Sequence, residues 1–176
     1  MTGDGGLPVQ VPLVGASAPT FTLSDQHGTP FGLTEQLSQG PVFVVFYPFA
    51  FSGTCTGELT GLLDLDDQMR ATGVQVVGIS CDALFALRAF SDASSIGFPL
   101  LSDFWPHGAV ASAYGVFDTE RGCSRRGSFL IDRDATIAWS VLNELSEARN
   151  IADHLTAAAA LADRSVPAPA DPAATR

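Results

Sequence analysis

The chain has 176 residues, a length that suits one domain with one core, and 46% apolar residues supply a globular interior. Its formal net charge is −10 and all nine basic residues are arginine, so it offers no sequence-wide basic surface and no nucleic-acid partner is expected. Three cysteines, none in a C-x-x-C pair, argue against a disulfide framework and for a reducing, cytoplasmic setting.

Residues 1–12 are rich in Gly and Pro and are expected to be flexible; they lack the basic and apolar regions of a secretory signal. A single domain is expected over 13–162. Phe21-Thr22-Leu23 and Pro30-Phe31-Gly32-Leu33 flank Gln26-His27-Gly28 and predict a hairpin. Thr34 to Leu37 reads as a short helix, closed by Gly40-Pro41. The apolar run 42–47 predicts a buried strand; the longer apolar stretch 41–51 is about half of what a membrane span needs, so no membrane association is expected. A helix follows over about 54–71, with Leu59, Leu62, Leu63 and Met69 inward and Gly73 after it. Residues 74–79 form a second buried strand. Asp82 is expected to cap a helix to about residue 95, with Leu84, Leu87 and Phe90 inward. Residues 98–101 read as a short strand whose Pro99 marks an edge or a strand start. A small helix over 107–114 stops at Gly115. Residues 128–132 and 136–140 pair as a hairpin, Ser146 is expected to cap a last helix to about residue 162, and the Pro/Ala-rich tail 163–176 is expected to be disordered.

This order is that of a thioredoxin-like α/β fold: an N-terminal β-hairpin, then a central mixed sheet flanked by helices. Right-handed crossovers make the first strands parallel. Sites in such sheets form at the carboxyl ends of the parallel strands, where Cys55 falls. Cys55 ends the run Pro48-Phe49-Ala50-Phe51-Ser52-Gly53-Thr54-Cys55, so a strand feeds a loop and the loop feeds a helix whose first turn holds the thiol. Unpaired N–H groups and the positive end of a helix dipole favour a thiolate in that position. Ser52 is placed to bond the sulfur or a substrate oxygen, or to cap the helix. His27, His107 and His154 are scattered without ligand spacing, so no metal or cofactor is expected. Trp105-Pro106-His107 reads as a packed loop, and Asp64, Asp66 and Asp67 as a solvated helix face.

Pro48-x-x-x-Ser52-x-x-Cys55 matches the Pro-x-x-x-Thr/Ser-x-x-Cys signature, and over about residues 13–162 the chain resembles the peroxiredoxins. Ala18-Pro19-Thr20-Phe21-Thr22-Leu23 is similar to the family's N-terminal segment. Glu58 stands three residues after the cysteine, and Arg126, ahead of Gly127-Ser128-Phe129-Leu130-Ile131-Asp132, stands where the family places its active-site arginine. The segments 100–110 and 113–117 resemble the AhpE-type (alkyl hydroperoxide reductase E-like), one-cysteine branch. The resemblance implies a thiol peroxidase acting on hydrogen peroxide, organic hydroperoxides or peroxynitrite. The Cys55 thiolate would attack a peroxide oxygen and become a sulfenic acid. Arg126 would supply forked, charged donors to the sulfur and the oxygens, with more from Ser52 and the loop N–H groups. Pro48 would shape and shield the loop. Glu58 reads either as the partner that orients Arg126 or as an ordinary first-turn helix acid. Arg149 resembles a second family arginine and would extend the network.

Residue 60, where the PrxQ-like branch carries a partner cysteine, is Thr60, and no cysteine follows Cys123. Cys81 and Cys123 read first as small buried hydrophobes, with a resolving role for either left open. The AhpE-type resemblance implies an external reductant: mycothiol, with a mycoredoxin- or thioredoxin-like protein. It also implies a homodimer or higher oligomer, with Trp105, Phe49 and Phe51 at a subunit contact. The alternative is a thioredoxin-fold redox-signalling or binding module that uses Cys55 without efficient peroxidase turnover.

Overall fold

Five consecutive apolar residues from Val42 leave no solvent face, and the strand they form lies inside a sheet, buried along its whole length. The computed structural model describes residues 11–165. The hairpin β1 (Thr22–Asp25) and β2 (Pro30–Gly32) leads through α1 (Leu33–Gln39) into β3 (Val42–Phe46). Then α2 (Gly53–Asp64) and α3 (Asp66–Ala71) return the chain to β4 (Gln75–Ser80), and α4 (Leu84–Ser94) returns it to β5 (Leu100–Ser102). After α5 (Ala109–Ala113) come a small hairpin, β6 (Phe117–Asp118) with β7 (Cys123–Ser124), a long hairpin, β8 (Arg126–Ile131) with β9 (Ile137–Asn143), and α6 (Ile151–Ser165).

The seven-stranded sheet has the order β2-β1-β5-β4-β3-β8-β9; β3, β4 and β5 run parallel and the remaining pairs antiparallel. Side chains alternate across it. Phe43, Val45 and Tyr47 pack with Leu59, Leu62, Met69, Leu87, Phe90 and Leu161 under α2, α3, α4 and α6. Val42, Val44 and Phe46 pack with Leu33, Leu37, Ala111 and Tyr114 under α1 and α5. The expected thioredoxin-like arrangement, with helices on both faces, is the one that forms. Phe46 lies opposite Ile79, so the chain leaves β3 and β4 at the same carboxyl edge, through Tyr47-Pro48 and through Cys81. Gly78 in β4 makes room for this exit: a Cβ there would meet Leu100 Cδ2 at 2.9 Å and Tyr47 Cε1 at 3.1 Å.

Several local readings change. The helix expected over 54–71 is broken at Leu65 (φ −100°, ψ −1°), whose N–H donates to the Leu62 carbonyl at 3.1 Å; α3 then starts afresh and carries Met69 into the core. Asp82 does not cap α4; the carboxylate turns back to another loop, and the cap residue Ala83 makes no side-chain bond. Leu84 is half-buried. Pro99 precedes β5, which is no edge strand but lies between β1 and β4. Ser146 does not cap α6. Asn150 does, its Oδ1 accepting the Ala152 N–H at 3.3 Å and its Nδ2 donating to Asp153 at 3.0 Å. The loop expected to be packed is so only in part: Trp105 is 81% exposed, while the ring of His107 lies edge-on to Phe117 with Nε2 2.7 Å from the Gly122 carbonyl oxygen. Of the terminal segments expected to be loose, residues 1–10 and 166–176 lie outside the described residues, while residues 163–165 continue α6.

Candidate active site

Tyr47 and Pro48 are buried where the chain leaves β3, and the loop then turns outward through the exposed Phe49 and Phe51. Phe51 adopts φ +64°, a region bulky residues seldom occupy, with its ring 5.2 Å from that of Phe90. Such a conformation persists only where the surroundings fix it. Asp82, just after β4, supplies a fixed point: its Oδ2 accepts the Ala50 N–H at 2.8 Å and the Ser80 hydroxyl at 2.8 Å. Ser52 ends the loop as N-cap of α2, with extended backbone and its Oγ accepting the Cys55 N–H at 3.2 Å. The loop thereby sets Cys55 in the first helical turn.

Arg126 opens β8 and reaches this turn from the other side of β3. Its Nη1 donates to Cys55 Sγ at 3.5 Å and to Glu58 Oε2 at 2.5 Å, and its Nε donates to the Leu145 carbonyl at 2.8 Å. Glu58 lies one turn beyond Cys55. Arg149 grips its far side: the backbone N–H (2.7 Å) and Nε (3.2 Å) donate to Oε1, and Nη2 (2.9 Å) donates to Oε2. Nη1 of Arg149 spreads over the Phe46 carbonyl at 2.8 Å, the Gly127 carbonyl at 3.1 Å and the Ser128 hydroxyl at 3.1 Å. Cys55, Glu58, Arg126 and Arg149 are all buried, at most 5% exposed. Burial pushes the Glu58 carboxyl up, but the hydrogen bonds and charge of Arg149, followed by the charge of Arg126, outweigh it and hold the group below its ordinary range. One carboxylate and two guanidiniums leave this cluster with a single uncompensated positive charge beside Sγ. The arrangement can therefore present a sulfur nucleophile together with a charged donor for an oxygen bound beside it.

Cys55 has no exposed surface in this conformation. A cleft of about 470 Å³ runs beside the first turn of α2, lined by Gly53, Thr54, Gly57, Ala148 and Arg149. Nothing lies within 4 Å of where a side chain would begin at Gly53 or Gly57, so the helix is uncovered there. The other thiols are elsewhere along the chain and also free. Cys81 Sγ lies 3.8 Å from Ser124 Oγ, and burial pushes its thiol up to about 11. Cys123, in β7, is fully buried and is likewise pushed up, by burial first.

The sequence reading missed three contributors: Asp82 as the anchor of the loop, Ser128 and His154. His154 is fully buried and in phase with Ala157, Ala158 and Leu161 on α6, and that helical spacing was the signal available. Asp82 and Ser128 gave no local signal, because their contacts with Ala50 and Arg149 span 32 and 21 residues.

A thioredoxin-like sheet that places a helix-capped cysteine against a buried arginine defines a thiol-based redox enzyme. Residues 14–140 match the AhpC/TSA family. Alkyl hydroperoxide reductase E of Mycobacterium tuberculosis is 39% identical over 137 residues, spanning 78% of this chain and 90% of that protein. Among solved structures, peroxidoxin BcpB of Mycobacterium tuberculosis is similar with a TM-score of 0.75 at 31% identity, over 87% of this chain and 97% of that one. AhpC of Enterococcus faecalis gives a TM-score of 0.76 at 25% identity, over 89% and 98%. The chain belongs to the AhpC/TSA family, among the peroxiredoxins. Its activity is that of a thiol-dependent peroxidase, with a peroxide as substrate and a thiol as reductant.

Proposed function

We propose that this chain reduces hydrogen peroxide, organic hydroperoxides or peroxynitrite through a sulfenic acid on Cys55, and that an external thiol recycles it. The observation that carries this reading is the Arg126 Nη1 contact with Cys55 Sγ at 3.5 Å inside a buried cluster with one positive charge to spare. The thiolate attacks one peroxide oxygen, the O–O bond breaks, and the other oxygen leaves as alcohol, water or nitrite. Arg126 donates to the sulfur and to the oxygens as charge develops, and a preorganised donor of this kind supplies roughly 3–4 kcal/mol. Ser52 holds the turn and adds a hydroxyl. Pro48 has no N–H and a fixed φ, and it shapes the loop over the thiol. Glu58 orients Arg126, and Arg149 holds Glu58.

A one-cysteine cycle is supported by the state of the remaining thiols: Cys81 and Cys123 are buried and held toward the protonated, poorly nucleophilic form. The reductant is then mycothiol with a mycoredoxin-like protein, or a thioredoxin-like protein. The name of the 39%-identical mycobacterial relative supports alkyl hydroperoxides among the substrates. A homodimer or higher oligomer is supported by the exposed Phe49, Phe51, Phe85, Phe104 and Trp105. A cytoplasmic setting is supported by three free thiols; among the described residues no helix is long and apolar enough to cross a membrane.

Intact-mass analysis after one equivalent of peroxide tests the reading. One added oxygen on Cys55 is expected, and the Cys55→Ser variant should take up none there and lose turnover. Loss of two hydrogens, the mark of a bridge to Cys81 or Cys123, would overturn the one-cysteine cycle. Retained turnover in Cys55→Ser would overturn the assignment of the nucleophile.

A further inference from the structure

His154 lies close to the site, yet no step above uses it. It sits in the first turn of α6 with no exposed surface, between the rings of Phe43 and Trp139, whose centroids are 4.9 Å and 5.3 Å away. Its Nε2 is 2.9 Å from Ser128 Oγ and its Nδ1 is 3.3 Å from the Asn150 carbonyl. Ser128 Oγ in turn receives Arg149 Nη1 at 3.1 Å. An aliphatic side chain would fill this place without desolvating a polar ring, so the ring needs a reason to be there.

We propose that His154 is a positioning residue for the peroxidase reaction: as a neutral imidazole protonated on Nδ1 it accepts the Ser128 hydroxyl proton, fixes Arg149 against Glu58, and through Glu58 holds Arg126 on the Cys55 sulfur. The proposal rests on the reading of Cys55 given above. Its proton directions follow from the partners. A carbonyl only accepts, so Nδ1 carries its hydrogen toward Asn150, and a neutral ring then leaves Nε2 as an acceptor. A guanidinium only donates, so Ser128 receives from Arg149 and gives its own hydrogen to Nε2. Arg149 Nη1, Ser128 Oγ and both ring nitrogens of His154 each have a partner in this arrangement. The opposite tautomer sets the Nδ1 lone pair against the Asn150 carbonyl and deprives the Ser128 hydrogen of its acceptor.

Burial, and then the charge of Arg149, pull the ring down to about 4, so it stays neutral near pH 7. The charged groups that face it are Arg149 from the segment before α6, Glu58 from α2 and Asp153 on α6 itself. From β3, β8 and β9 it meets Phe43, Ser128 and Trp139, none of them charged. Protonation makes Nε2 a donor toward an oxygen that already receives Arg149, and it adds a cation beside a guanidinium. Both effects loosen the hold on Arg149.

Two measurements on the full chain test this. Long-range 1H–15N NMR at pH 7 should show the Nδ1–H tautomer for His154, with a titration near 4. The Nε2–H tautomer, or a titration near the ordinary 6.5, overturns the proposal. In stopped-flow oxidation of Cys55 by hydrogen peroxide, His154→Leu should lower the second-order rate constant about tenfold. His154→Gln, which brings an amide oxygen near the Nε2 position and does not titrate, should recover most of that rate and lack the part of the acid limb expected in wild type as pH falls through about 4. Equal rates in wild type and both variants, or an equal loss in both variants, overturns it. Should the Leu variant fail to fold, the Gln pH profile and the tautomer decide. A wild-type Cys55 that does not react with peroxide sinks the peroxidase reading, while the NMR result still decides the His154 link.

Discussion

Glu58 is the residue on which the site converges. Oε2 receives Arg126 and Arg149, and Oε1 receives the Arg149 N–H and Nε, so each carboxylate oxygen has two donors. Glu58→Gln keeps the volume but leaves two buried guanidiniums without a counter-charge and turns an amide N–H toward them. Removing one partner of a buried ion pair costs about 3–5 kcal/mol, and the urea midpoint should fall to match. Oxidation of Cys55 by peroxide should slow by more than about tenfold, yet less than the ~10²–10³ of a lost direct donor, because Arg126 keeps its bond to the Leu145 carbonyl. An unchanged midpoint in Glu58→Gln would show that the two arginines do not depend on this carboxylate. The fork geometry explains why both partners are arginines: Arg126 holds the Leu145 carbonyl through Nε while Nη1 reaches Glu58 and Cys55, and Arg149 holds Glu58 through Nε and Nη2 while Nη1 reaches two carbonyls, a spread that a lysine ammonium lacks.

Among the elements, the loop between β3 and α2 depends on a residue from β4's exit. Asp82 ties Ala50 and Ser80 together at 2.8 Å each, beside a phenylalanine in left-handed backbone. Asp82→Ala leaves the Ala50 N–H without that acceptor and should cost about 1–3 kcal/mol by urea unfolding. It should also slow Cys55 oxidation, because the loop that carries Ser52 and Pro48 loses its anchor. Asp82→Asn, which keeps an acceptor oxygen, should lie between wild type and Ala in both measurements; an Ala variant with wild-type stability and rate would remove Asp82 from the site. The same residue shows where reading a sequence stops. The strands of the seven-stranded sheet and the first turn of α2 with Ser52 and Cys55 were legible, because apolar runs and short spacings are local patterns; the short hairpin of β6 and β7 was not, and Pro48 stood out only through the family signature. Arg126 and Arg149 were legible through family likeness. The turn of Asp82 away from α4 was not, nor was the cap of α6 by Asn150 rather than Ser146, because a polar residue ahead of a helix has several acceptors and donors to choose from and tertiary contact decides. The break at Leu65 was equally hidden: Leu62 and Met69 both fit one continuous helical stripe, and the core they share selects the bend.

For the molecule as a whole, pH brings the buried groups into one measurement. His154, fully buried, titrates near 4 in the fold against 6.5 ordinarily, so between those values the unfolded chain binds a proton that the folded chain refuses. Its contribution is complete above pH 6.5 and is lost as pH falls to 4, and it is on the order of 3 kcal/mol. Glu58, held below its ordinary 4.5, acts in the same direction over the next interval down: the stability it brings is present above 4.5 and lost as pH falls through its folded value. Asp103 opposes them, because burial raises its carboxyl and protonation then favours the fold. Acidification also relieves the repulsion of a net charge of −10, but those charges are mostly exposed and are screened over about 8 Å at physiological salt. On the alkaline side Cys81, raised from 9 to about 11, gives stability that is full below 9 and lost as pH rises through 11, and Cys123 acts in the same direction. Calorimetry at fixed ionic strength should therefore show a plateau in Tm between about pH 6.5 and 9, falling on both sides. The His154→Gln variant should have a lower plateau but a flatter acid limb between 6.5 and 4, since the group that titrates there has been removed. A wild-type Tm that rises from pH 7 to pH 5 would mean that relief of global charge outweighs the buried imidazole, and the coupling between α6 and the cluster around Glu58 would have to be far weaker than its hydrogen bonds imply.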